Sequence, residues 1–106
     1  TELDCRDNQL AELDLSHTPG LTQLGCGNNQ LTELNVSNLS ELFKLCCFNN
    51  QLSHLDVSNL SKLESLYCQK NQLTELDVSG LPNLVHLVYD YDSTKLIKRD
   101  DQDFDS

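Results

Sequence analysis

Leucine recurs along the chain at a strict interval of 21 residues, and polar positions separate the leucines in a fixed order. The most regular column consists of Leu3, Leu24, Leu45, Leu66 and Leu87. Within each unit the pattern L-x-x-L-x-C alternates apolar and polar residues, which is the period of a strand with one buried face. A fixed period of this length predicts a solenoid, in which each coil buries its apolar side against its neighbours.

The strands of successive units are expected to pair in parallel and to form one face of the stack. In the second unit, Leu24 and Cys26 are predicted to point inward, whereas Gln23, Gly25 and Gly27 point outward. The return half, L-x-x-L-D-V-S, is too short for a long helix. We therefore expect 3₁₀ or extended structure on the opposite, convex side.

Two polar columns are assigned to the backbone rather than to a ligand. Asparagine at the end of each strand can bond the turn, and stacked copies can satisfy each other's turn amides. The return half carries one Asp or Asn per unit, whereas a calcium loop needs several oxygen ligands within one loop. Capping of local backbone is therefore predicted there. The columns are Asn8, Asn29, Asn50 and Asn71, and Asp14, Asn35, Asp56 and Asp77.

Four of the five cysteines share one repeat position. Neighbouring strands lie about 4.8 Å apart, whereas the Cβ atoms of a disulfide prefer about 3.8 Å. Cys5, Cys26, Cys47 and Cys68 are therefore predicted to be reduced thiols that pack in the core. Cys46 lies outside this column and is predicted to be a surface thiol, free to oxidise or dimerise.

The chain is acidic, with 7 Lys and Arg against 17 Asp and Glu in 106 residues. This balance argues against nucleic acid and anionic membrane surfaces as partners, because both are polyanions. No apolar stretch is long enough to insert into a membrane. Residues 100–106 are predicted to form a solvated acidic tail. Because the chain lacks an initiating Met and begins within a unit, we expect it to be part of a longer protein.

The fifth unit keeps the leucine frame but departs from the pattern elsewhere. Tyr89 stands where Cys is expected, and Asp92 stands where Asn is expected. We predict that residues 84–99 form a degenerate capping repeat, with Leu96 and Ile97 folding back over the last coil. The first strand has an open edge, which predicts end-to-end self-association. The four regular units span 1–20, 21–41, 42–62 and 63–83, and the whole of 1–106 is predicted to be one domain.

The frame L-x-x-L-x-C-x-x-N-x-L resembles a leucine-rich repeat. With Cys at the third apolar position and L-D-V-S on the return, residues 1–92 are similar to internalin-type bacterial proteins whose repeats stack a cysteine ladder. The resemblance implies an α/β-type leucine-rich repeat solenoid with a concave parallel β-sheet. It also implies a non-enzymatic scaffold, on the cell surface or secreted, that binds a protein or carbohydrate. A cytoplasmic location stays open.

Apolar side chains occupy many outward strand positions of units three to five, whereas units one and two offer small or polar groups there. The predicted partner-binding residues are Phe43, Cys46, Phe48, Tyr67, Val85, Val88 and Tyr91. Exposed apolar clusters and aromatic side chains are typical of contact sites. The alternative is that a flanking segment or the chain's own tail, through Phe104, covers this surface.

No set of residues converges for catalysis or for binding a metal or cofactor. Cys46 would need a base within reach, and His86 lies two coils away, roughly 10 Å by strand spacing. No C-x-x-C spacing exists, and His17 and His54 lie on separate coils. The predicted function is therefore a non-enzymatic binding module. The alternative is a structural spacer with no ligand of its own.

Overall fold

The chain forms a solenoid whose strands build a five-stranded and a two-stranded sheet, both parallel. We describe it from a computed structural model that covers residues 1–105; Ser106, the last residue of the predicted tail, lies outside the described residues. The concave sheet is formed by β1 (Glu2–Asp4), β2 (Gln23–Gly25), β3 (Lys44–Cys46), β4 (Ser65–Tyr67) and β6 (His86–Val88). The convex sheet is formed by β5 (Glu75–Asp77) and β7 (Lys95–Ile97).

The register of the concave sheet follows the repeat. Leu24 pairs with Leu3 on one side and Leu45 on the other, and the column continues through Leu66 to Leu87. Each strand is only three residues long, because the alternating segment of each unit is short. The parallel solenoid predicted from the period is confirmed.

The prediction that the ladder cysteines point into the core is also confirmed. The side chains of Cys26, Cys47 and Cys68 are fully buried, whereas Phe48 and Tyr67 on the opposite face are half-buried. All five cysteines are free thiols. Burial raises the pKa of Cys26 and of Cys68 to about 12, because an apolar core disfavours the thiolate. The ladder is therefore a column of protonated thiols at neutral pH.

The asparagine column joins successive coils. The side-chain oxygen of Asn50 accepts a hydrogen bond from the backbone N–H of Leu31 (3.1 Å). Its amide nitrogen donates to the carbonyl oxygens of Cys26 (3.0 Å) and Cys47 (3.1 Å). Asn29 and Asn71 repeat this pattern in the flanking coils. The structural role predicted for these asparagines is confirmed.

The convex side is built from turns and the short β5–β7 sheet. Within residues 1–105 neither an α-helix nor a 3₁₀-helix is present, so of the two predicted alternatives the extended one is correct. Asp56 Oδ1 accepts bonds from the hydroxyl (2.6 Å) and the backbone N–H (3.0 Å) of Ser58. These bonds lower the pKa of Asp56, and Asp77 is held in the same way by Ser79. The column caps local backbone, as predicted.

The C-terminal residues differ from the prediction of a solvated tail. Asp105 pairs with His86 beside β6, donating its N–H to Val85 (2.8 Å) and accepting that of Leu87 (2.8 Å). The side-chain amide of buried Gln102 donates to two carbonyls of the preceding coil. The prediction is wrong here because the backbone groups of the last coil need partners, which this segment supplies. The four acidic residues of the segment, Asp100, Asp101, Asp103 and Asp105, remain exposed, so the difference concerns Gln102 and the backbone of Asp105.

The fifth coil closes with β7 rather than with a free flap. Leu96 pairs with Leu76 and packs against the core, and Ile97 pairs with Asp77. The hydroxyl of buried Thr94 donates to the carbonyl of Leu73 (2.8 Å). The two residues expected to fold back over the last coil therefore extend its convex side instead. Across residues 1–105 no helix has the length and apolarity to cross a membrane.

Candidate binding surface on the concave sheet

The structure brings four of the seven predicted contact residues together. Cys46, Tyr67 and Val88 are direct neighbours across β3, β4 and β6. Their side chains point outward because Leu45, Leu66 and Leu87, one position earlier, point into the core. Phe48 follows two residues after Cys46 and adds an aromatic ring to the same face. We call Cys46, Phe48, Tyr67 and Val88 the central cluster.

The other three predicted residues lie at its margins. Phe43 (36% exposed) and Val85 (47% exposed) stand where the chain enters β3 and β6, and Glu64 occupies the equivalent position between them. Tyr91 (76% exposed) lies in the turn after β6. The predicted site is therefore a central cluster with separate flanking residues rather than one continuous apolar patch.

Phe104 reaches one end of the central cluster, where it lines a hollow with Val88 and Tyr91, but it does not lie over Phe48 or Tyr67. Asp105 pairs with outward-facing His86, so the alternation of a strand turns Phe104 towards the inward side. Phe104 packs against the end of the core. With the tail in this position, Phe48, Tyr67 and Val88 keep part of their surface exposed. Cover by the tail, the alternative raised by the sequence, is not what the structure shows.

The phenyl ring of Phe48 packs directly on Gly27 of the neighbouring coil. A methyl group placed on Gly27 would lie 2.7 Å from Cζ of Phe48, which is closer than carbon atoms pack. Gly27 was expected to face outward and open, but the ring buries it. The small residue in one coil thus fixes the position of the aromatic residue in the next.

We expect Gly27→Ala to move the Phe48 ring while the fold stays intact. The overlap involves the far end of a side chain that can rotate, so the free energy of unfolding should fall by no more than about 1 kcal/mol. The measurement is urea unfolding combined with the aromatic NMR resonances of Phe48. Gly80→Ala is the matched control, because its new methyl group meets only the Ser58 carbonyl at 4.0 Å. Unmoved Phe48 resonances in Gly27→Ala would contradict the packing described.

A pocket of about 180 Å³ opens beside Phe48, over β1, β2 and β3. Gly25 and Gly27 lie at its base, and Cys46 and Phe48 line one side. Glu2, Asp4, Arg6 and Lys44 also line it, and Arg6 and Asp4 form a salt bridge of 3.3 Å. The sequence did not predict this pocket, because the two glycines occur in one coil only and therefore give no periodic signal.

The thiol of Cys46 is half-buried rather than fully on the surface. Burial raises its pKa, and the nearby charges of Lys44 and Arg6 oppose that effect without reversing it. The thiol is therefore protonated at neutral pH and contributes an apolar surface to the pocket. Among residues 1–105, no group of three or more His, Cys, Asp or Glu side chains is arranged to hold a metal ion.

The turns that follow the first four concave strands, β1 to β4, each place a non-glycine residue at positive φ, beginning with Asp7 (61°). Asn28 and Asn49 have φ of 58° and 54°, and Lys70 has 59°. In the fourth coil, the carboxylate of Asp90 accepts the backbone N–H groups of Lys70 (2.8 Å) and Asn71 (3.1 Å). Asp90 thus caps the end of the asparagine stack, a role that sequence reasoning did not assign.

Fold and surface together define a class: a leucine-rich repeat solenoid with an apolar cluster and a pocket on its concave sheet. No protein-family model matches the sequence, and no curated protein sequence does. Solved structures match. The functional domain of InlJ from Listeria monocytogenes, which includes a cysteine ladder, is 32% identical with a TM-score of 0.80 over 92% of this chain. The internalin InlF from Listeria monocytogenes is 25% identical with a TM-score of 0.57 over 84% of this chain.

The chain therefore has the fold of the internalin leucine-rich repeats and, like the InlJ domain, contains a cysteine ladder. It spans about a quarter of the InlJ domain (25%) and about a third of the InlF structure (34%).

Proposed function

We propose that this chain is a non-enzymatic module that binds a protein partner through its concave sheet. The observation that carries the proposal is the central cluster: aromatic and apolar side chains, half-exposed, on adjacent strands of a rigid sheet. A few residues carry most of the binding energy at protein interfaces, and aromatic side chains are enriched among them because each buries a large apolar area. Phe43, Val85 and Tyr91 are proposed to extend the contact at its margins.

The charge of the chain supports a partner with a basic surface. The net charge of −10 attracts such a partner over long range and accelerates the encounter. The likeness to internalins supports placement of the module on a bacterial cell surface or in the secreted fraction. The proposed contact residues differ from coil to coil, whereas the residues of the core repeat. A surface that recognises one partner needs different side chains at different positions.

We expect the double substitution Phe48→Ala and Tyr67→Ala to weaken the binding of a protein partner at least about 30-fold, because two central anchors are removed. Both side chains are half-buried outward residues, so the fold should persist. A partner is first captured on the immobilised chain and identified by mass spectrometry. Its purified form is then titrated against both versions by calorimetry.

Phe104→Ala is the matched control for this experiment. It removes an aromatic ring that packs against the core and reaches only the Val88 end of the central cluster, so it should lower stability and leave most of the partner affinity in place, in contrast to the double variant. Equal affinity of the unmodified chain and the double variant would refute the assigned surface. Failure of the immobilised chain to capture any protein would favour the spacer interpretation.

A further inference from the structure

We propose that the pocket over Gly25 receives a tyrosine side chain from the protein partner. The inference rests on the proposed function and adds the chemistry of one anchor residue to it. The pocket lies on the concave sheet directly beside the central cluster and shares Cys46 and Phe48 with it. A partner that covers the central cluster therefore also covers the mouth of the pocket.

The size of the pocket suits one aromatic ring. Its volume is about 180 Å³, and a protein cavity of about 150 Å³ is sufficient to hold benzene. The space exists because Gly25 carries no side chain where the neighbouring coil carries Cys46, whereas the ring of Phe48 occupies the space over Gly27. A tyrosine ring fills the volume that lies over Gly25, beside the Phe48 ring.

The wall of the pocket favours an aromatic occupant over an aliphatic one. Phe48 packs on Gly27, and in the unmodified chain its ring lies along one side of the pocket. Aromatic rings attract one another in offset or edge-to-face arrangements beyond the gain from burial alone. The half-buried Cys46 thiol adds a polarisable apolar contact on the same side.

The charges around the pocket favour an uncharged occupant with a polar end. Two carboxylates, Glu2 and Asp4, are balanced by Arg6 and Lys44. A charged side chain would meet a like charge on either side and would lose hydration on entry. Lys44 forms no salt bridge within residues 1–105, whereas Arg6 is paired with Asp4. The ammonium group of Lys44 is therefore available to donate a hydrogen bond to a phenol oxygen.

The test uses p-cresol, the side-chain analogue of tyrosine, and NMR titration of the backbone amides of Gly25 and Gly27. A probe of this size is expected to bind with a dissociation constant on the order of 10 mM. Methylguanidinium and propionate, which carry the charges of arginine and of the acidic residues, should bind at least about tenfold more weakly. Equal binding of the three probes, or no shift at Gly25 with p-cresol, would overturn the inference.

Gly25→Val is the blocking variant. A Cβ at this position lies 3.5 Å from Oδ1 of Asp4, an ordinary contact, so the substitution fits the backbone and its methyl groups enter the pocket. We expect it to weaken p-cresol binding at least about tenfold. Gly20→Ala is the matched control, because its new methyl group meets no atom within 4 Å. Undiminished p-cresol binding in Gly25→Val would overturn the inference.

A titration with the captured partner separates this inference from the proposed function. Loss of affinity in Gly25→Val, as in the Phe48→Ala and Tyr67→Ala double variant, supports both. Loss in the double variant alone overturns the pocket assignment and leaves the concave surface standing. Loss in neither overturns both.

Discussion

Asn50→Ala is expected to lower the free energy of unfolding by about 3 kcal/mol, a large share of the total stability of a domain of this size. The side-chain oxygen of Asn50 is the acceptor for the buried N–H of Leu31. Removing it leaves that N–H without a partner in a place that water does not reach, which by itself costs roughly 1–3 kcal/mol. The loss of the donated bonds adds to this cost.

The donated bonds of Asn50 contribute less, because their acceptors keep other partners. The carbonyl of Cys26 also accepts from Asn29, and the carbonyl of Cys47 also accepts from Asn71. The asparagines therefore share acceptors between coils, so one substitution weakens the stack without leaving these carbonyls unpaired. Asn50 also donates to the carbonyl of Phe48 (3.2 Å), which brings its hydrogen bonds to four. Because acceptors are shared, the expected loss is about 3 kcal/mol rather than the sum of four separate bonds.

Asn8→Ala is the matched control for this prediction. Asn8 occupies the same repeat position in the first coil, but it is exposed and donates to only two carbonyls, those of Cys5 (2.9 Å) and Arg6 (3.1 Å). Its loss should cost no more than about 1 kcal/mol, because water replaces the missing bonds. Urea unfolding at one pH compares the two variants. If both variants lost the same free energy of unfolding, burial would add nothing to the stability that the asparagine column provides.

The second large effect concerns pH. We expect the free energy of unfolding to fall by about 4 kcal/mol between about pH 8 and about pH 10, owing to the three buried ladder thiols. Burial raises the pKa of Cys26 and Cys68 to about 12 and that of Cys47 well above its ordinary value. In the unfolded chain these thiols ionise near pH 9.0, the ordinary value for cysteine.

The direction of the effect follows from the sign of the shift. Because the pKa is higher in the folded chain, each thiol contributes its full stabilisation below about pH 9, where both states bind the proton. Above that pH the unfolded chain releases the proton and the folded chain keeps it. Stability therefore decreases by about 1.4 kcal/mol per thiol for each pH unit, until the folded pKa is passed.

Cys47→Ala isolates the contribution of one thiol. The variant should be less stable at neutral pH, because it removes packed atoms from the core, but its stability should fall less steeply as the pH rises. The difference between the two pH profiles should reach about 1.4 kcal/mol at about pH 10. Urea unfolding across the alkaline range, in the presence of reductant, gives both profiles. Parallel profiles for the two chains would mean that Cys47 does not stay protonated in the folded core.

The period of 21 residues was sufficient to predict the parallel sheet, its register and the inward face. Each side chain in a column meets copies of itself above and below, so one unit predicts the next. Asn50 is an example: because its repeat position is filled by Asn in successive coils, stacking of the coils is sufficient to predict its hydrogen bonds to the neighbouring coil. Of the seven predicted contact residues, Cys46, Phe48, Tyr67 and Val88 lie together on the outward face, whereas Phe43, Val85 and Tyr91 lie at its margins. Their role in binding stays a prediction.

Which of the predicted contact residues lie next to one another depended on contacts that the repeat pattern does not encode. The Phe48 ring covers Gly27, so a position expected to be open is buried. Glu64 separates Phe43 from Val85, although both belong to one column. Such outcomes require knowledge of which different side chains meet across the coils.

The sequence by itself determined the coil, the core and the ladders of Asn and Cys, because identical residues at a fixed interval can pack in only one register when one face must be buried. Only the tertiary structure decided how the array ends and where a pocket opens on its concave sheet. Asp90 caps the last turn, Asp105 pairs beside β6, and Gly25 opens a pocket against Phe48. Each of these features involves residues that do not recur at the 21-residue interval, so the repeat pattern does not predict them. They are determined by the unpaired backbone groups and open surfaces of the coil next to them.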